Sequence, residues 1–153
     1  MPYVYNFDSW DDELGKWSTE ANAYDDNVVT NATCILTGVE NSGYLTLNFA
    51  SPVFSSGVQI YFLTTSIDYS FNMQVQNTDD SWTSIFTGTL AQLIFVPKPY
   101  TPRLIKAVKI ACAQSSGRAS LFAVGEYQVW AIAKRSKING SLISKPALIG
   151  GLV

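Results

Sequence analysis

The chain contains no histidine. The commonest general base, the usual activator of serine and cysteine nucleophiles and the commonest zinc ligand are therefore missing together. Ser-His-Asp, Cys-His and His-based metal catalysis cannot be assembled from these residues. Chemistry would fall to carboxylates, Lys or Tyr. The densest carboxylate run is Asp11, Asp12 and Glu13. It would serve a glycosidase only if two carboxyl groups stood about 5.5 Å or about 6.5 to 9.5 Å apart across a sugar. An acidic run is more often a solvated face, and no enzyme is expected. The two cysteines, Cys34 and Cys112, each fall inside an apolar strand-like segment and read as buried free thiols. Sequence alone cannot place them within bridging distance.

Charge is segregated along the chain. Residues 1–30 hold seven acids against Lys16, residues 31–97 hold four acids and no base, and residues 98–153 hold nine bases against Glu126. A basic half can be the footprint of a nucleic-acid binder, but these charges are spread singly along a strand-like segment without a recognition motif. Nucleic acid is not an expected partner. Acidic and basic segments are expected to lie side by side in the fold or to meet between subunits.

With 153 residues, 47% of them hydrophobic and 14% charged, the chain can bury a full core as one domain. Wholesale disorder is excluded. No stretch approaches the ~18 apolar residues of a membrane span, and no membrane partner is expected. The start MPYVYNFDSWDDE is acidic where a secretory signal would be basic and then apolar, so no such signal is expected.

The elements that must position any site have a period of two from about Thr33 to Trp130. Leu45, Leu47 and Phe49 alternate with Tyr44, Thr46 and Asn48; Val58, Ile60 and Phe62 alternate with Gln59 and Tyr61. Tyr69, Phe71, Met73 and Val75 alternate with Ser70, Asn72, Gln74 and Gln76. These read as half-buried antiparallel strands. Further strands are expected at 82–86, 92–96, 104–112 and 121–130, with turns at 41–43, 55–57, 77–81, 97–102 and 114–117. Short strands with turns at this spacing indicate an all-β sandwich or barrel. The one helical turn expected is Ser9 to Leu14, with Ser9 as N-cap.

After Trp130 the pattern changes. Residues 131–153 contain no acid and no aromatic, yet they offer many aliphatic side chains. An apolar arm needs a surface to cover, either its own sandwich or a neighbouring subunit. Pro146 disfavours a continuous helix, so the arm is expected to be extended. The expected division is a sandwich over 1–130 and an arm over 131–153. The arm's assembly residues would be Lys134, Arg135, Lys137, Ile138, Leu142, Ile143, Leu148, Ile149 and Leu152.

Residues 21–30, ANAYDDNVVT, resemble the A-x-D-G-[ND] loop of galactose-binding-like β-sandwiches: discoidin domains, fucose-binding lectins and carbohydrate-binding modules. The resemblance continues through Tyr44 to Phe49, Pro52, Ser56 to Ile60, Gln74 to Gln76 leading to Asp79-Asp80-Ser81-Trp82, Leu104 to Ile110 and Val124 to Trp130. It covers roughly residues 20–130. It implies an antiparallel jelly-roll β-sandwich of eight strands in two sheets.

The resemblance also implies a structural Ca²⁺ held by the loop and by a Glu returning from the last strand. The matching positions are Asn22, Asp25, Asn27 and Thr30, with Gly125 and Glu126. Hard oxygen ligands suit Ca²⁺. Asp26 stands where the family usually has Gly, which would reshape the loop. Sugar binding transfers poorly: the fucose lectins use a His and paired Arg that this chain does not match. For relatives that stack a sugar on a loop aromatic, Tyr100 is the matching residue, with Trp17 and Phe54 behind it; Trp82 matches a strand aromatic that is usually core.

The terminal segments resemble small β-sandwich proteins of phage particles. The first expectation is therefore a non-enzymatic virion or surface-assembly subunit, of phage tail, fibre or head-decoration type. It would be a homo-oligomer among other structural subunits, anchored by its arm and serving host attachment. The alternative is a carbohydrate-binding module or adhesin, extracellular or at a cell surface, that recognises a glycan.

Overall fold

The computed structural model describes residues 3–4, 7–132, 136–138 and 141–143. The strands are β1 (Tyr3–Val4), β2 (Ser9–Asp12), β3 (Trp17–Ser18), β4 (Ala32–Leu36), β5 (Glu40–Asn41), β6 (Leu45–Thr64), β7 (Tyr69–Asn77), β8 (Trp82–Gly88), β9 (Val96–Gln114), β10 (Ser120–Ala131), β11 (Ser136–Ile138) and β12 (Ser141–Ile143). One 3-10 turn, Glu20–Ala23, interrupts them. Among the described residues no helix is long and apolar enough to cross a membrane.

Every pairing is antiparallel, in the order β3-β4-β10-β6-β9-β7-β8, with β1 on β10, β2 on β6 and β5 on β9. The two layers of the sandwich are joined because β6 and β9 run through both. Leu45–Asn48 of β6 pairs with β2 and with Ala107–Ile110 of β9, whereas Gly57–Ile60 pairs with β10 and with Val96–Pro99. Register shifts between Asn48 and Val53 and between Ser55 and Gly57 let both strands turn the corner. Gly57 is required there: a Cβ would stand 2.6 Å from Trp130 Cε3.

The core follows from the alternation. Phe71, Met73 and Val75 of β7 and Leu45, Leu47, Val58, Ile60 and Phe62 of β6 are all buried. Phe62, Phe71, Phe122 and Tyr69 meet edge to face, with centroids 4.5 Å apart for Phe62 and Phe71. Each such side chain contributes about 1.5 to 3 kcal/mol by leaving water. Cys34 and Cys112 are free and buried, and burial pushes both thiols up, Cys34 to about 11.

Four expectations change. Ser9–Asp12 is a strand paired with Leu45–Asn48, not a helical turn. Asp12 accepts from the amides of Leu14, Gly15 and Trp17, so the capping chemistry serves the turn that follows. The expected turn at 55–57 is a bulge inside the continuous β6. Residues 92–95 form no strand, and the proline segment 97–102 does. Pro97 and Pro99 are tolerated because, among the described residues, this stretch of β9 pairs with β6 alone and leaves its other side without a strand partner.

In the segment expected to be extended, Ser136–Ile138 pairs with Ser141–Ile143 as a hairpin. Lys137, Ile138, Leu142 and Ile143 fall in these two strands by backbone alone. Lys134, Arg135, Leu148, Ile149 and Leu152 lie outside the described residues.

Candidate functional site

Two regions carry charge that the fold does not pair. The first is the loop after the 3-10 turn. Asp25 accepts from the amide of Asn27 at 3.0 Å and from the Thr30 hydroxyl at 2.5 Å, while Asn27 Oδ1 accepts from the amide of Val29 at 3.0 Å. The carbonyl of Asn27 takes the Thr30 amide and hydroxyl, and the side-chain amide of Asn22 donates to the carbonyl of Asn31. Asp26 adopts φ 60°. This is the left-handed region, which Asp tolerates better than most residues other than Gly and Asn.

This loop presses on β10 at its bulge. A Cβ on Gly125 would meet the Val28 carbonyl at 2.9 Å and Asn31 Oδ1 at 3.1 Å, so only glycine lets the loop approach. The next residue, Glu126, is 1% exposed, and neither carboxylate oxygen has a hydrogen bond of good geometry. Burial pushes its pKa up to about 7; the Asp26 and Asn27 amides pull it down, and the charges of Asp25 and Asp26 push it further up. Among the described residues no three acidic, His or Cys side chains converge as a metal-binding group. A buried carboxylate without a hydrogen bond of good geometry, close to the Asp25 and Asp26 carboxylates, nonetheless fits a hard cation that takes some ligands from the backbone.

The expected aromatic platforms are built otherwise. Trp17 is 4% exposed and belongs to the core, so it cannot receive a sugar. Tyr100 lies on β9 rather than on a loop. Its ring packs on the core, its hydroxyl donates to Ser55 Oγ at 2.7 Å, and burial raises its pKa to about 12. Phe54 is a half-buried residue of β6 paired with Leu104. The structure does not bring the three together as a platform.

The second region is the outer face of the β2-β6-β9-β7-β8 layer. Asp11, Thr46, Lys109, Gln74 and Ser84 stand in register across five strands. Lys109 Nζ lies 4.0 Å from the ring centroids of both Tyr44 and Trp82. Burial between them pushes its pKa down, against the pull of Glu13. Gln74 donates to the Tyr44 hydroxyl at 3.0 Å and to Asn72 Oδ1 at 3.3 Å, and Glu13 accepts the Tyr44 amide at 2.9 Å. Beside this cluster are two hollows of about 310 and 380 Å³ that have Ser70 and Ala113 in common. The smaller is floored by Ala111 and Ala113 and walled by Tyr44, Asn72, Thr87, Asn41 and Glu13.

Solved structures match this architecture over most of the chain. Chitosan-binding module 1 from the chitosanase/glucanase of Paenibacillus sp. IK-5 superposes with a TM-score of 0.64 at 19% identity, covering 86% of this chain and 100% of that one. The chain has the galactose-binding-like β-sandwich fold. The family 32 carbohydrate-binding module of Clostridium perfringens NanJ, solved with galactose, superposes with a TM-score of 0.60 at 19% identity, covering 80% and 90%. The family 32 module of AlyQ, solved with 4,5-unsaturated mannuronic acid, has a TM-score of 0.64 at 14% identity, covering 85% and 98%. No protein-family profile and no curated protein sequence matches the chain.

Within this galactose-binding-like sandwich, the residues that sequence reasoning missed are Tyr44, Trp82 and Lys109. Trp82 was expected in the core, but it pairs with Gln76 on the outward phase and is half-exposed. The signal was present in the alternation, where Tyr44, Asn72 and Gln74 already stood at outward positions.

Proposed function

We propose that the chain is a non-catalytic glycan-binding sandwich whose loop at residues 22–30 holds a structural Ca²⁺. Its work would then lie outside the cell or at a cell surface. The observation that carries the reading is the match to carbohydrate-binding modules over essentially their whole length. The outer-face cluster supports it: an aromatic wall beside amides and hydroxyls is the lining that sugar recognition requires.

For the cation, Asp25, Asn27 and Thr30 with Glu126 are the residues that would hold it, with Asn22 and Gly125 shaping the approach. The bound ion would neutralise a buried carboxylate. It would fix the loop and do no chemistry on a substrate. Nothing among the described residues favours the particle-assembly expectation over this reading.

A glycan array probed with the intact chain, with and without chelator, tests it. Binding to a defined group of glycans is expected. No binding to any glycan in either condition would contradict the reading.

A further inference from the structure

The outer-face cluster goes further than glycan binding in general, because one of its members is a charge held in place without a counter-ion. Lys16 pairs with Glu40 at 2.6 Å, and Lys106 pairs with Asp80. Lys109 has no ion pair and no hydrogen bond among the described residues; the two rings hold it, and the Glu13 carboxylate acts on it only through space. Cation–π contacts fix an ammonium but offer it no oxygen, so its three N–H donors stay available. Glu13 accepts the Tyr44 amide at 2.9 Å and forms no ion pair with Lys109.

Around this fixed charge the face is built for a ring. Tyr44 both carries Lys109 and borders the smaller hollow, whose floor is the small side chains Ala111 and Ala113. Asn72, Thr87, Asn41 and Ser70 line that hollow with donors and acceptors. The second hollow continues it along β7 and β9 toward Asp68 and Ser115. From Lys109 to Ala113 the face runs about 13 Å at the rise of a strand, which is enough for more than one sugar ring.

We propose that Lys109, clamped between Tyr44 and Trp82, receives the carboxylate or sulfate of an acidic polysaccharide, whose sugar ring lies in the Ala111–Ala113 hollow. The proposal rests on the glycan-binding reading and adds the class of glycan and the place where it binds. A charge-assisted hydrogen bond to a partly desolvated ammonium is among the stronger polar contacts available, and it selects against the neutral ester of the same sugar. Glu13, which lines the same hollow, should oppose an anionic ligand, so the two charges act with opposite sign.

The test is affinity electrophoresis of the full chain through gels containing polygalacturonate, its fully methyl-esterified form or a sulfated galactan. Wild type, K109Q, K109R and E13Q are run side by side, and melting curves confirm the fold of each. The expected result is retardation by polygalacturonate or by the sulfated galactan, and which of the two retards identifies the anionic group. The methyl ester should bind at least tenfold more weakly. K109Q should lose at least tenfold on the acidic polymer while melting within a few degrees of wild type, K109R should keep most of the binding, and E13Q should tighten it. Acidic-polymer binding that is equal in K109Q and wild type overturns the proposal, as does preference for the ester. Absence of binding to all three polymers also overturns it; a neutral glycan found on the array would then leave the broader reading standing.

Discussion

Among the described residues neither Glu126 nor Lys109 forms an ion pair, yet they stand in opposite circumstances. Glu126 is sealed beneath the 22–30 loop on β10, with two more carboxylates beside it. Lys109 lies on the outer face of the other layer, held by ring faces and open to a ligand. A buried unpaired charge is destabilising by itself and is tolerable only when it is protonated or bound to a cation. A half-exposed ammonium costs the fold little. The difference separates stability from recognition: changes at the loop should move the melting temperature, and changes at the face should move ligand affinity.

The largest effect expected is that of the cation. If Ca²⁺ binds only the folded chain, a concentration about 100 times its Kd should raise the melting temperature by roughly 5 to 10 °C over chelated protein. E126Q should abolish that difference. Identical melting with Ca²⁺ and with chelator would break the comparison at its loop end. Next in size is G125A, because the new Cβ would stand 2.9 Å from the Val28 carbonyl, a backbone atom that cannot move alone. A loss of about 1 to 3 kcal/mol is expected in chemical denaturation, together with a weaker Ca²⁺ response. Unchanged stability would show that the loop does not press on β10.

The pH dependence of chelated protein sharpens the same point. Glu126 holds its proton more tightly when folded, at about 7, than at its ordinary value of 4.5. Its contribution is therefore fully present below 4.5 and lost as pH climbs through about 7. The melting temperature of chelated protein should fall by a few degrees over that window, and E126Q should remove the fall. A stability that rises over the same window would contradict the buried-acid account. The smallest stability effect is at the face. K109Q gives up two exposed cation–π contacts, worth about 0.5 to 1 kcal/mol each, and should melt within a few degrees of wild type. A collapse of the fold would make Lys109 a structural pin instead.

Much of the sandwich was legible in the sequence because alternation is a local property. Leu45, Leu47, Phe71, Met73 and Val75 could be assigned inward without knowing their neighbours. What was not legible depended on distant partners. Ser9–Asp12 looked like a helix start, since nothing local shows that β6 offers it a strand edge. Pro97 and Pro99 looked like a loop, since nothing local shows that, among the described residues, β9 pairs there with β6 alone. The loop at 22–30 was found through its resemblance, and Asp26 there stands in the left-handed region. Tyr100 was misplaced because its hydroxyl partner, Ser55, is 45 residues away. Lys109 went unnoticed because its two aromatic neighbours come from before β6 and from β8, which only the folded sheet brings together.

An amide chemical-shift titration with an oligomer of whichever acidic polymer retards the chain, polygalacturonate or the sulfated galactan, in the presence of Ca²⁺, tests most directly whether recognition belongs to the outer face. Shifts should concentrate at Tyr44, Asn72, Gln74, Trp82, Lys109 and Ala111 and leave residues 22–30 unmoved. No shifts at saturating oligomer, or shifts confined to the loop or to the opposite layer, would contradict the account.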